Sequence, residues 1–199
     1  MGASERDEFL RAAWKVTVAG SVGAERFVFV DECGVNTSMH RLYAWSRRGE
    51  RAPCSAPRNW GANVTVLASM TLNGMGPCLA VEGPTTKAVF ETYVERVLAP
   101  SLRPGQVMVM DNLSSHKGSR VRELVEARGC ELVYLPAYSP DFNPIEQAFA
   151  KLKALLRSAG ARTREALLEA MGTALDAVTA DDARGFFEYR GYLAPAQLR

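Results

Sequence analysis

A strand–helix–strand run between residues 106 and 135 constrains the fold of this chain more than any other feature. QVMVMD at 106–111 is a short apolar run closed by an acid, which predicts a buried strand. Residues 115–128 predict a helix, Gly129 its stop, and CELVYL at 130–135 a second strand. Two strands joined through a helix pair in parallel by a right-handed crossover.

Upstream, residues 26–31 predict another strand, with Phe27, Phe29 and Asp31 on one face and Glu32 turned away. Residues 42–46 and 63–72 predict further strands. The latter ends in Asn73-Gly74, a hairpin signal, with 77–82 as the return strand. Thr85 or Thr86 can cap a helix running to Leu98, with Val89, Tyr93 and Val97 on one stripe. At the start, 5–16 predict a helix whose apolar stripe is Phe9, Ala13 and Val16, followed by the connector AGSVGAE. Pro136, Pro140 and Pro144 stiffen a loop, and helices follow from Pro144, over 164–178 and near 181–188. The expected class is α/β: a mixed central sheet, three antiparallel strands then parallel ones, flanked by helices. Residues 1–25 form an N-terminal helix and connector, and 26–199 the main domain. At 199 residues and 47% hydrophobic content, one domain with a sizeable core suffices.

Three acids stand where such a fold can gather them. Asp31 and Asp111 each close a strand, and Glu146 opens the helix after the proline-rich loop. Carboxylates converging at strand mouths suit a hard divalent ion such as Mg²⁺, and a pair of ions can clamp both oxygens of a phosphodiester. Glu146 also fits a simpler role. Asn143, Pro144, Ile145 and Glu146 match N-cap to N3, so Glu146 could complete a capping box. Ile145, Phe149, Leu152 and Leu156 form the core stripe of this helix, which leaves Glu146, Ala150, Lys153 and Arg157 on an adjacent one. Asp141 is a rival carboxylate whose S-P-D setting a turn already explains.

The net charge of +2 says little, but its distribution says more. Arg41, Arg47, Arg48, Arg51 and Arg58 meet a single acid, Glu50, and Lys151, Lys153, Arg157, Arg162 and Arg164 follow Glu146. Basic clusters beside metal-binding acids suit a polyanion such as DNA; Arg47, Arg48, Arg51, Lys153 and Arg157 are the DNA-contact candidates. Cys33, Cys54, Cys78 and Cys130 make no C-x-x-C pair, and the two histidines, His40 and His116, complete no zinc set. No apolar run reaches the roughly 20 residues of a membrane span.

MDNLSSH followed by YLPAYSPDFNPIEQAFAKLK resembles the catalytic signature of DDE-type transposases of the mariner-like superfamily, particularly its bacterial insertion-sequence branch. Between Asp111 and Glu146 lie 34 residues, the spacing of that branch, and VDE at 30–32 and YAWSRRGER at 43–51 agree with it. The resemblance implies an RNase H-like fold in which Asp31, Asp111 and Glu146 hold two Mg²⁺ ions, with Mn²⁺ able to substitute. It implies an endonuclease and strand transferase that frees a 3′-OH at a transposon end and joins it to target DNA. His116 matches the D-N-x-x-x-H pattern, and it and Asn112 are candidates for shaping the site. Partners implied are double-stranded DNA, both terminal inverted repeats and target, and a second copy of the chain. A cytoplasmic location follows, on the nucleoid when DNA is bound. Full-length members carry helix-turn-helix domains ahead of this region, and 25 residues before the first predicted strand leave no room for one. A missing N-terminal part or a separate reading frame would supply it. The rival readings are a nuclease that only hydrolyses and a truncated, non-catalytic DNA-binding regulator of a full-length transposase.

Overall fold

The structure is a computed structural model that describes residues 6–53, 55, 61, 63–112 and 118–192. Five strands, β1 (Phe27–Val35), β2 (Val64–Thr71), β3 (Gly74–Glu82), β4 (Val107–Met110) and β5 (Glu131–Tyr134), form one mixed sheet in the order β3-β2-β1-β4-β5. β1, β2 and β3 are antiparallel, and β4 and β5 run parallel to β1. The helices are α1 (Glu8–Trp14), α2 (Lys87–Tyr93), α3 (Ser119–Glu126), α4 (Ile145–Ala159), α5 (Arg164–Asp176) and α6 (Ala180–Tyr189).

Strand alternation divides the core. Phe27, Phe29, Val107 and Val109 face α4, α5 and α6, meeting Phe149, Leu152, Leu156, Leu167 and Phe187. Val28, Val30, Met108 and Met110 face α2 and α3, meeting Phe90, Tyr93, Val94, Val121 and Val125. β4 is therefore buried on both faces, which is why it reads as a continuous apolar run, whereas β5, at the sheet edge, is only partly buried. Gly129 ends the connecting helix region with φ +68°, a conformation that favours glycine. Thr86 caps α2, its hydroxyl accepting from the Val89 N–H at 3.3 Å.

Three local expectations are corrected. Residues 42–46 form no strand, and Leu42, Tyr43 and Trp45 are exposed. Their β-forming side chains meet no partner strand, and propensity without pairing does not make a sheet. In α1 the predicted stripe faces water, with Phe9 and Val16 exposed, and the buried pair is Arg11 and Trp14. Here an ion pair and aromatic packing override the apolar period. In α2 the buried stripe is Phe90, Tyr93 and Val94, continuing to Leu98, while Val89 and Val97 are partly buried at its edge.

Candidate metal and DNA-processing site

The parallel pairing of β1 and β4 places the first two acids. Val30 is in register with Met110, so Asp31 and Asp111 follow side by side on neighbouring chains. Adjacent strands lie about 4.8 Å apart, and the alternation that sends Phe29 and Val109 towards α4 sends Asp31 and Asp111 the same way. Glu146, in the first turn of α4, is exposed on the opposite wall. All three line one cleft of about 470 Å³, together with Asn112, Leu135, Pro136, Tyr138, Pro140 and Asn143.

Asp31 is held at both oxygens. Its Oδ1 accepts the Glu32 N–H at 2.7 Å, and its Oδ2 accepts Asn143 Nδ2–H at 2.8 Å. No side chain caps α4, Pro144 stands at the helix start, and the Asn143 N–H goes to the Pro140 carbonyl at 3.0 Å. The capping box expected of Asn143 and Glu146 is therefore not formed. Asn143 Oδ1 is buried with no hydrogen-bond partner among the described residues. Leaving such an acceptor unmade costs on the order of 1–3 kcal/mol, so the surroundings must hold Asn143 firmly.

The loop just before Asn143 is tied by Arg11. Its guanidinium donates to Asp141 Oδ1 at 3.0 Å and Oδ2 at 2.6 Å, and to Ser139 Oγ at 2.6 Å. It also lies 4.1 Å over the Phe142 ring. Arg11 draws the Asp141 carboxyl below its usual range, against the opposing effect of burial. Asp141 is thus committed to a structural pair, which weakens it as a rival ligand. Sequence reasoning missed Arg11, because a pair 130 residues apart leaves no local signal.

The Cys33 thiol, two residues along β1 from Asp31, is pushed up to about 12, first by burial, with Lys153 opposing and Asp31, Glu146 and Glu32 adding. Lys153 and Arg157 have no hydrogen-bond or ion-pair partner among the described residues, whereas Lys151 pairs with Asp182 at 2.6 Å and Arg164 with Glu82 at 3.3 Å. Arg162 donates to the Thr37 and Met39 carbonyls. Arg47, Arg48 and Arg51 are exposed on the segment after β1. Asn112 is exposed at the cleft mouth, just past the end of β4. His116, Arg58, Cys54 and Trp60 lie outside the described residues.

Among the described residues no three His, Cys, Asp or Glu groups stand close enough to hold an ion as they are. The donor set nonetheless fits a hard divalent cation. Its members are oxygen ligands, two on the adjacent inner strands β1 and β4 and one on a long exposed side chain across the cleft.

Residues 26–168 match a family described as DDE superfamily endonuclease. The Tc1 transposase of Caenorhabditis elegans is 24% identical over 187 residues, an alignment covering 88% of this chain and 68% of that protein. Among solved structures, a Mos1 transposase paired-end complex with the left transposon end superposes with TM-score 0.69 at 20% identity, over 93% of this chain and 55% of that one. A mariner Mos1 paired-end complex with Mg gives TM-score 0.64 at 19% identity, over 92% and 57%. The chain thus spans about half the length of the Mos1 chains it matches. The shared fold is RNase H-like, a mixed five-stranded sheet flanked by helices, as the sequence predicts.

Proposed function

The chain belongs to the DDE superfamily of endonucleases, and from that premise we propose that it is the catalytic core of a Tc1/mariner-type transposase of the bacterial insertion-sequence branch. It would cut DNA at the ends of a mobile element and join the freed 3′ ends to a target. One observation carries this reading: Asp31, Asp111 and Glu146, from three separate elements, line a single cleft.

Asp31, Asp111 and Glu146 would hold the metal, a pair of Mg²⁺ or Mn²⁺ ions. When bound, such ions lower the pKa of a water and neutralise charge developing on the phosphodiester. The chain's own residues do the rest. β1 and β4 fix two carboxylates side by side. Asn143 orients Asp31, and Asn112 and the Leu135–Pro140 wall bound the space open to a scissile phosphate. Lys153 and Arg157 extend along α4 from Glu146, where they can take backbone phosphates beside the cut. Arg47, Arg48 and Arg51 reach further along the duplex. Base-specific recognition of terminal repeats would fall to a helix-turn-helix part, and a second copy of the chain would pair the two ends. The work takes place in the cytoplasm, on the nucleoid. Support for the bacterial branch is the 34-residue gap between Asp111 and Glu146 and the S-P-D-x-N-P-I-E string.

The test uses duplexes with a free 3′-OH donor end, supercoiled target DNA and Mg²⁺. Nicking together with covalent joining of donor to target is the expected result. Nicking without joined products would reduce the chain to a hydrolytic nuclease. Retained DNA binding with neither would make it a non-catalytic regulator.

A further inference from the structure

The loop that delivers Asn143 to Asp31 is gripped from both ends of the chain by residues beyond the 26–168 stretch that matches the family. From the N-terminal side come Arg11, bonded to Ser139 and Asp141, and Trp14, stacked on Phe142 at 5.6 Å between ring centroids. From the C-terminal side, Arg190 donates to the Asp141 carbonyl at 3.1 Å and the Tyr192 hydroxyl to the Phe142 carbonyl at 2.6 Å. The grip ends one residue before Asn143. Asn143 in turn is held with its Oδ1 unpartnered among the described residues and its amide on Asp31, an arrangement that it would not keep by itself.

We propose that Arg11 is a positioning residue for the metal-binding carboxylate of Asp31, acting through Ser139 and Asp141 on the loop that carries Asn143. The chain of contact is continuous: guanidinium to hydroxyl and carboxylate, one turn of 3₁₀ helix at Pro140–Phe142, then Asn143 Nδ2–H to Asp31 Oδ2. A partner that orients a ligand from outside the coordination sphere tunes how well that ligand binds. Arg11 suits the task. Its planar fork makes two parallel bonds to one carboxylate, fixing direction as well as distance, and the guanidinium is almost wholly buried while Asp141 reaches it from the surface. α1 thereby belongs to the working site, although it lies outside the matched region.

The proposal rests on the metal-site reading above, and the experiment separates the two. Mn²⁺ binding to the free protein is measured by calorimetric titration, alongside melting temperature without metal, for wild type, Arg11→Met, Asn143→Ala and the double variant. Arg11→Met keeps an apolar stem over Phe142 and removes the fork. Losing an outer partner of a metal ligand weakens binding roughly 10–100-fold, so Asn143→Ala should lose about tenfold. Arg11→Met should lose part of that, and the double variant no more than Asn143→Ala alone, because both act on one carboxylate. If Arg11→Met proves too unstable to study, Asp141→Asn, an isosteric change, carries the same expectation at smaller amplitude. Arg11→Met or Asp141→Asn protein that melts earlier yet binds Mn²⁺ like wild type would make the grip merely structural. Losses that simply add in the double variant would equally overturn the relay. A wild type that binds no Mn²⁺ would instead remove the metal site itself.

Discussion

The loop from Leu135 to Asn143 and the excursion from Asn36 to Pro53 leave the same end of the sheet and are built in opposite ways. The first is short, proline-stiffened and tied by Arg11, Trp14, Arg190 and Tyr192. The second is tethered at its root, where Arg162 bonds the Thr37 and Met39 carbonyls and Arg41 bonds Ser158 Oγ. Beyond that it carries Leu42, Tyr43, Trp45, Arg47 and Arg48 in the open. The contrast suits what each would do in the proposed function. A metal ligand needs its geometry set before the reaction, which demands redundant contacts. A cation that meets a long polyanion gains from reach, since Coulombic attraction to phosphates tolerates loose geometry.

The largest effect should come from the rigid side. Asp31→Asn, Asp111→Asn and Glu146→Gln should each lower Mg²⁺-dependent nicking by roughly 10³-fold or more, as the loss of a ligand to a catalytic metal costs several kcal/mol. Their melting temperatures without metal should stay near wild type, and Mg²⁺ should raise them less. A Glu146→Gln protein that nicks supercoiled DNA at the wild-type rate would take Glu146 out of the site. It would also erase the functional half of the contrast, because Asp141 is already paired with Arg11.

Trp14 and Trp45 sharpen the comparison in stability. Trp14 is buried against Phe142 and Tyr192, while Trp45 is fully exposed. Trp14→Ala should cost about 3–5 kcal/mol in denaturant unfolding, and Trp45→Ala less than about 0.5 kcal/mol. Equal costs would mean that the excursion packs as tightly as the loop.

The same division governs what was legible in the sequence. The face that Asp31 shares with Phe27 and Phe29 could be read because strand alternation is a periodic, local property, and the place of Glu146 because it opens a well-patterned helix. The stripe Ile145, Phe149, Leu152 and Leu156 is buried as expected. The failures share a cause. The false strand at 42–46 had β-forming residues but no partner, and pairing is decided elsewhere in the chain. α1 was given the wrong buried face because Arg11 finds Asp141 only after folding. Asn143 fits a helix cap in sequence, since nothing nearby announces that it will sit against Asp31 with its Oδ1 unpartnered among the described residues. Periodicity reports neighbours, whereas these three outcomes depend on contacts between distant segments.

A smaller effect should appear on the loose side. Reversing Arg47 and Arg48 to Glu should weaken binding to duplex DNA about tenfold at low salt, and make the dependence on log salt shallower by about two. Melting temperature should not move, as both side chains are exposed. Unchanged affinity in a filter-binding titration would take these arginines off the DNA path.

The smallest effect is a pH response confined to the rigid loop. Arg11 holds the Asp141 carboxyl below its usual range, chiefly by hydrogen bonding, with Arg6 contributing. A carboxyl lowered by folding contributes stability that is complete above its unfolded pKa of about 3.9 and is lost as pH falls through the folded value. As pH falls below about 3.9 the Arg11 grip should therefore begin to loosen, and Trp14, stacked on Phe142, should become more accessible to a neutral quencher. Trp45 depends on no such pair. In variants keeping one tryptophan each, with the others replaced by Phe, Trp14 quenching should rise as pH falls, while Trp45 quenching stays constant. Asp141→Asn should abolish the rise, because the titrating group is gone. A rise that persists in Asp141→Asn would assign the response to Glu8, which also faces Arg11 at 3.4 Å. The loop would then be held through α1 itself rather than through its own acid.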